Sequence, residues 1–326
     1  MTNNKILITG GAGYVGSVVA RHLLSLGYHV RVLDSLLHGG NSLLGLYLED
    51  KFEFMRGDIR DKGIASQALL GIDGVVHLAA IVGDPACARQ PEESQSVNLD
   101  GSLQLFETAR NHGVSKFVFA STCSNYGKMI DTSQNVTEES ELRPVSLYAE
   151  NKVAIETSLL SESSQDSVNV TILRLATAFG LSPRMRFDLT VNEFTLELLI
   201  NKTLMVYGEQ FWRPYIHVCD IARAVSIVLE ASSHKISGRV FNVGDNSQNF
   251  RKGEIVELVK SVIKQECKIQ YVKKEEDPRD YRVSFDRINN ELGFSIIRTV
   301  EDGIREIADV IRKGVIAEFD HPYYRN

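Results

Sequence analysis

The first half of the chain alternates short β-branched runs with longer segments in which apolar residues recur at helical spacing. KILIT (Lys5–Thr9) reads as a buried strand, and residues 17–26 predict a helix that stops at Gly27. HVRVLD (His29–Asp34), FEFMRGD (52–58) and GVVHLAA (74–80) predict three further strands. A helix from about 98 to 111 ends at Gly113, and KFVFAST (Lys116–Thr122) is the fifth strand. SLYAENKVAIE (146–156) then reads as a helix and VNVTILRLA (168–176) as a sixth strand. Strand and helix in strict alternation imply right-handed crossovers and a parallel sheet covered on both faces.

After Gly180 that regularity fails. SPRMRFD is followed by a helical run (191–201) and by the polar, aromatic stretch YGEQFWRPYIHVCD. GRVFNVGD reads as one more strand of the main sheet, and 254–264 and 300–312 are again helical. The expectation is α/β: a doubly wound parallel sheet over residues 1–178, with a returning segment at about 215–250. A smaller mixed α/β substrate-binding region takes 179–214 and 251–326. No repeat or linker-like tract divides the two.

Composition changes this picture little. Of 326 residues, 43% are hydrophobic and 24% charged, ordinary for a globular chain with a sizeable core. The net charge of -6 argues against nucleic acid or an anionic membrane as main partner, without forbidding a local pocket for phosphates. Cys87, Cys123, Cys219 and Cys267 form no close pair, which suits free thiols in a reducing compartment. MTNNKILITGG runs straight into a strand, and no stretch approaches a membrane span, so a cytoplasmic location is expected. No His/Cys/carboxylate cluster suggests a metal site.

The chemistry begins at TGGAGYVGS, where Gly10, Gly13 and Gly16 lie between the first strand and the first helix. Glycines there allow a tight turn and let backbone N–H groups, together with the helix dipole, hold a pyrophosphate. Asp34 closes the second strand about twenty residues later, where a carboxylate accepts from both hydroxyls of an adenosine ribose. A 2′-phosphate would meet like charge there, so NAD is expected rather than NADP. This is the Rossmann-type arrangement.

With TGGAGYVGS, GDIRD, HLAA, FVFAST, Y-x-x-x-K and RPYIHV in that order, the chain resembles the extended short-chain dehydrogenase/reductase family. More narrowly, it resembles the nucleotide-sugar epimerases, dehydratases and ketoreductases. LRLATAFGLSPRMRFDLTVNEFT and EEDPRDYRVSF look most like a branch acting on GDP-heptoses, including a GDP-heptose 4-dehydrogenase. The resemblance implies a cofactor site of Gly10, Gly13, Tyr14, Val15, Asp34, Asp58, Ile59, Leu78, Ala79, Ala80 and Lys152, with Asn98 behind it. It implies Thr122, Tyr148 and Lys152 as catalytic residues. Thr177, Asn192, Arg213 and Arg279 fall to the substrate, the two arginines on its diphosphate. It also implies a homodimer built from two helices per subunit, about 98–111 and 148–163.

Such chemistry oxidises a sugar hydroxyl: its proton goes to a base while hydride goes to nicotinamide. A free tyrosine titrates at about 10, and reaching 7 needs about 4 kcal/mol of preference for phenolate. An ammonium about 6 Å away supplies roughly 2–3 kcal/mol at an effective dielectric near 20. A lysine one helical turn after the tyrosine is therefore a physical requirement, and the same lysine can bond the nicotinamide ribose. His77 and His217 read as structural; Arg184 and Arg186 are candidates for binding phosphate, with surface arginine the default reading.

Departures from the family pattern narrow the reaction. The dehydratases follow their catalytic threonine with an aspartate and a glutamate, where this chain has Cys123 and Ser124. The galactose 4-epimerases carry a lysine and an asparagine where this chain has Val82 and Thr177. A C4 dehydrogenase or ketoreductase is the leading reading, a 4-epimerase with retained NAD the alternative, and a non-catalytic NAD-binding scaffold the reading from another class.

Overall fold

A computed structural model describes residues 4–129, 134–163, 168–273 and 279–326; of the motif EEDPRDYRVSF, residues 275–278 lie outside them. The strands are β1 (Lys5–Thr9), β2 (His29–Asp34), β3 (Phe52–Arg56), β4 (Gly74–His77), β5 (Lys116–Thr122) and β6 (Asn169–Leu175). There follow β7 (Thr177–Phe179), β8 (Thr203–Tyr207), β9 (Trp212–His217), β10 (Arg239–Val243), β11 (Asn249–Arg251) and β12 (Lys268–Val272).

Seven of them form one sheet in the order β10-β6-β5-β4-β1-β2-β3, and every pairing is parallel. The apolar runs are continuous because each strand is buried on both sides. Ile6 and Ile8 face one layer, with Val19 and Leu23 of the helix Tyr14–Ser25 and Ile221 and Val225 of the helix Val218–Glu230. Leu7 faces the other, with Leu105 and Phe106 of Gly101–Asn111 and Ile155 and Leu159 of Leu147–Ser163. Each such side chain contributes roughly 1.5–3 kcal/mol relative to exposure. GRVFNVGD joins the main sheet as expected, through β10 beside β6.

The chain runs outward from β1 to β3 and, from β4, outward the other way. The gap between the carboxyl ends of β1 and β4 is thus the switch point at which ligands of such sheets lie. A second core, around Phe179, Phe194, Leu198, Tyr215, Ile255 and Ile304, is covered by the three-stranded sheet β11-β9-β7 and the pair β12-β8.

Several boundaries differ from the pattern reading. The first helix begins at Tyr14 and not at residue 17, because Gly13, extended and without a side-chain cap, feeds it directly from the loop. GVVHLAA pairs only as far as His77. The helix predicted from 98 begins at Gly101, after a π-helical turn over Gln95–Asp100. WRPYIH is a strand and Val218–Glu230 a helix, neither of which the pattern assigns. Among the described residues no helix is long and apolar enough to cross a membrane.

Candidate active site

The glycine loop lies flush against the end of β4. Gly10 has φ +73°, and a β-carbon on it would come within 2.7 Å of the Ala79 nitrogen. A β-carbon on Gly16 would overlap the Gly10 carbonyl oxygen. Nothing but glycine keeps this cradle open. No side chain caps the helix at Gly13, which leaves the amides of its first residues, Tyr14 and Val15, facing the switch point. The Tyr14 side chain turns away: its hydroxyl donates to the Gly180 carbonyl at 2.6 Å, and burial raises its pKa.

Asp34 accepts from the amides of Ala12 (2.9 Å) and Leu36 (2.8 Å), one on each oxygen. Burial raises this carboxyl and the two amides oppose that. The outer lone pairs remain for ribose hydroxyls. Asp58 is committed to Arg60 through Nη2–Oδ2 at 2.7 Å and Nε–Oδ1 at 3.0 Å, which holds its carboxyl low. Ile59 is buried in the second layer, and Leu78, Ala79 and Ala80 follow β4 half-buried along the groove. Cradle, amide-bearing helix end and ribose acid fit a dinucleotide.

Tyr148 and Lys152 lie on the helix Leu147–Ser163, one turn apart. The Lys152 ammonium, 3% exposed, is 5.9 Å from the Tyr148 ring centre and 4.4 Å from that of Phe119. It donates to the Ala120 carbonyl at 2.7 Å, its one hydrogen bond among the described residues, so two donors remain. Burial lowers it to about 8, against the opposing pull of Glu156 and Cys87. Tyr148 itself is raised, first by burial and then by Cys87, while Arg186 opposes. The depression expected from Lys152 is therefore not a property of the chain by itself: burial dominates the phenol, and Arg186 is the cation that opposes it.

Two residues beyond Ala120, Thr122 ends β5 with its hydroxyl accepting from the Ser124 amide at 3.1 Å. Asn98 pairs with Ile81 as a neighbouring strand would, accepting from its amide (2.7 Å) and donating to its carbonyl (2.9 Å). His77 is buried between the hydroxyls of Thr9 (2.7 Å) and Ser102 (2.8 Å) and held to about 3 by burial and by Lys152. His217 caps the helix Val218–Glu230 and meets Glu306 at 2.7 Å, so both histidines are engaged by bonds within the fold.

On the substrate side, Arg213 donates to the Trp212 carbonyl at 2.7 Å, 5.6 Å from the ring of Tyr281. Arg279 bridges to Asp84 at 2.7 Å, and Ser146, just before the helix Leu147–Ser163, donates to the same carboxylate. Thr177 opens β7 half-buried. Asn192 is fully buried, accepting from the Gly180 amide (3.0 Å) and donating to the Arg186 carbonyl (2.8 Å), so its amide organises the 180–186 loop. Arg184 and Arg186 correct the sequence reading: they are 1% and 9% exposed, not surface residues, because the segment 319–326 packs over them. Tyr281, whose hydroxyl lies 3.4 Å from that of Ser124 and whose ring faces Arg213, joins this cluster and was not singled out from the sequence. Its position two residues beyond Arg279 on extended chain was the available signal.

Residues 6–244 match the model of the NAD dependent epimerase/dehydratase family. The chain is 30% identical to UDP-glucose 4-epimerase of Streptomyces lividans over 80% of this chain and 81% of that protein. It is 29% identical to dTDP-glucose 4,6-dehydratase of Streptomyces niveus over 94% and 93%. Among solved structures, UDP-glucose 4-epimerase from Thermotoga maritima with UDP-glucose superposes with TM-score 0.86 at 26% identity, over 96% of this chain and all of that one, 100%. The dTDP-glucose 4,6-dehydratase from Streptomyces venezuelae, solved with NAD, gives 0.84 at 26%, over 95% and 97%.

Proposed function

The chain belongs to the NAD dependent epimerase/dehydratase family, and we propose that it transfers a hydride at C4 of a nucleotide-linked sugar, hexose or heptose. The reaction class is a 4-dehydrogenase or 4-ketoreductase. The observation that carries this reading is the buried Lys152 ammonium, one turn after Tyr148 and bonded to the strand that ends in Thr122.

NAD, when bound, supplies the hydride acceptor and a positive ring. Tyr148 takes the proton of the C4 hydroxyl, and in the reverse direction returns it. Lys152 favours the phenolate across its 5.9 Å separation and offers its spare donors to a ribose. Thr122 orients the hydroxyl. Arg213 and Arg279 hold the diphosphate, with Thr177 and Asn192 shaping the sugar side. Elimination of water is disfavoured: the Cys123 thiol donates to the Arg174 carbonyl and burial pushes its pKa up, while Ser124 is an alcohol. Neither supplies an acid/base pair.

A 4-epimerase with retained NAD is the second reading, supported by the similarity to UDP-glucose 4-epimerases. Cofactor that survives dialysis, with a C4 epimer as product, would favour it over a net redox enzyme. The finer reading, a GDP-heptose substrate, rests on the resemblance of LRLATAFGLSPRMRFDLTVNEFT and EEDPRDYRVSF. Thermal shifts over GDP-, UDP-, dTDP- and CDP-sugars test it, and the largest shift with a nucleotide other than GDP rules it out. We further propose a homodimer through Gly101–Asn111 and Leu147–Ser163; a monomer by light scattering excludes it.

The decisive test is Tyr148→Phe. Turnover falls about 10²–10⁴-fold while NAD affinity changes less than about twofold. Wild-type turnover in that variant removes Tyr148 as the base.

A further inference from the structure

The loop that follows β7 is tied to the amide-bearing end of the first helix. Tyr14 donates to the Gly180 carbonyl, and Ser182 donates to the Tyr14 carbonyl at 2.7 Å. Arg184 and Arg186 on that loop both bear on His38, four residues after Asp34, whose imidazole burial and these two cations hold at about 4. The Tyr323 ring lies 3.6 Å from where a side chain on Gly39 would begin and 5.9 Å from the Arg184 guanidinium. Arg184 therefore occupies the corner between the glycine loop and the loop carrying the ribose acid.

The two arginines are not equivalent. Arg186 is neutralised by a two-pronged pair with Asp188, at 2.9 and 2.7 Å. Arg184 has no carboxylate partner among the described residues. One Nη2–H donates to the Arg325 carbonyl at 3.0 Å, and its buried Nε–H has no acceptor among the described residues. Burial and Arg186 lower it to about 10, so it is still a cation at neutral pH. A buried, unpaired guanidinium is costly and does nothing for the fold. The same fork matches a phosphate in shape and charge.

We propose that Arg184 is a phosphate ligand, holding the diphosphate of the dinucleotide on its adenosine side, with Arg325 as its resting partner. This rests on the cofactor reading above. A nucleotide sugar also carries a diphosphate, but the position of Arg184 beside Tyr14 and His38 lies on the span from glycine loop to ribose acid, which the dinucleotide must cross.

Binding to the full chain of NAD, ADP, UDP and GDP, followed by calorimetry, tests this in wild type, Arg184→Met and Arg184→Lys. In the methionine variant NAD and ADP weaken by roughly tenfold or more, and the salt dependence of NAD binding flattens. UDP and GDP stay within about twofold. NAD binding within about twofold of wild type overturns the assignment, and so does a loss confined to UDP or GDP, which would give Arg184 to the sugar nucleotide. If the methionine variant does not fold, the lysine variant decides. It keeps the charge but not the fork, and an unchanged NAD affinity overturns the proposal. A wild-type chain that binds neither NAD nor ADP sinks the cofactor reading itself.

Discussion

Two of the buried arginines make a contrast, one beneath the helix Leu147–Ser163 and one beside the glycine loop. Arg174, on β6, is 4% exposed and surrounded by acceptors. Its Nη2 meets Glu156 at 2.7 Å, its Nε lies 3.1 and 3.2 Å from the same carboxylate, and its Nη1 donates to Tyr126 at 3.0 Å. Glu156 also accepts from Asn125 at 2.8 Å and from Ser121. Arg184, equally buried, has one carbonyl. The first region is closed upon itself and reads as architecture; the second carries a charge that the chain alone does not satisfy. Lys152 stands between them, with one hydrogen bond and the charge of Glu156 a turn further along its helix.

The contrast can be broken most forcefully at Glu156. Glu156→Ala leaves Arg174 buried without its acid and is expected to cost about 3–5 kcal/mol in urea unfolding. A loss of under about 1 kcal/mol would mean that the pair is not structural. Next comes Lys152→Met. The folded value of Lys152, about 8, lies below its unfolded value of 10.5, so between these two pH values the unfolded chain holds more protons. The penalty that this lysine imposes is full below about pH 8 and fades as pH rises to 10.5. Lys152→Met should therefore stabilise the cofactor-free chain by roughly 1–3 kcal/mol at neutral pH and not at all above 10.5. A gain independent of pH would place its origin elsewhere. The smallest effect is at Arg184: Arg184→Met removes a buried charge without a carboxylate along with its packing, and should leave stability unchanged or raise it by about 1 kcal/mol. A loss as large as that at Glu156 would make the two arginines alike and erase the contrast.

How much of this was legible beforehand follows the same division. The sheet was readable because parallel strands buried on both faces leave uninterrupted apolar runs, as in KILIT and KFVFAST. The glycine loop and the Tyr148/Lys152 spacing were readable because their geometry is local, fixed by one turn or by 3.6 residues per helical turn. The start of the first helix was misplaced because the periodic apolar run was counted only from beyond the glycines, whereas the actual cap, Gly13, has no side chain to signal it. WRPYIH was unreadable as a strand because its arginine, proline and histidine are buried by tertiary partners no local pattern encodes. The same holds for Arg184 and Arg186, which SPRMRFD presents without periodicity and the distant 319–326 segment covers. The raised Tyr148 hydroxyl depends on Cys87 and Asp84, more than sixty positions upstream, as well as on burial.

Asn98 carries a consequence for anyone who varies this scaffold. Its side chain replaces a missing strand, giving and receiving one hydrogen bond with Ile81 where the sheet has run out. Aspartate could not donate, leucine could do neither, and glutamine would overshoot by a methylene. A library randomised at that codon and selected for turnover should return asparagine almost alone, although the residue need never touch what is being converted.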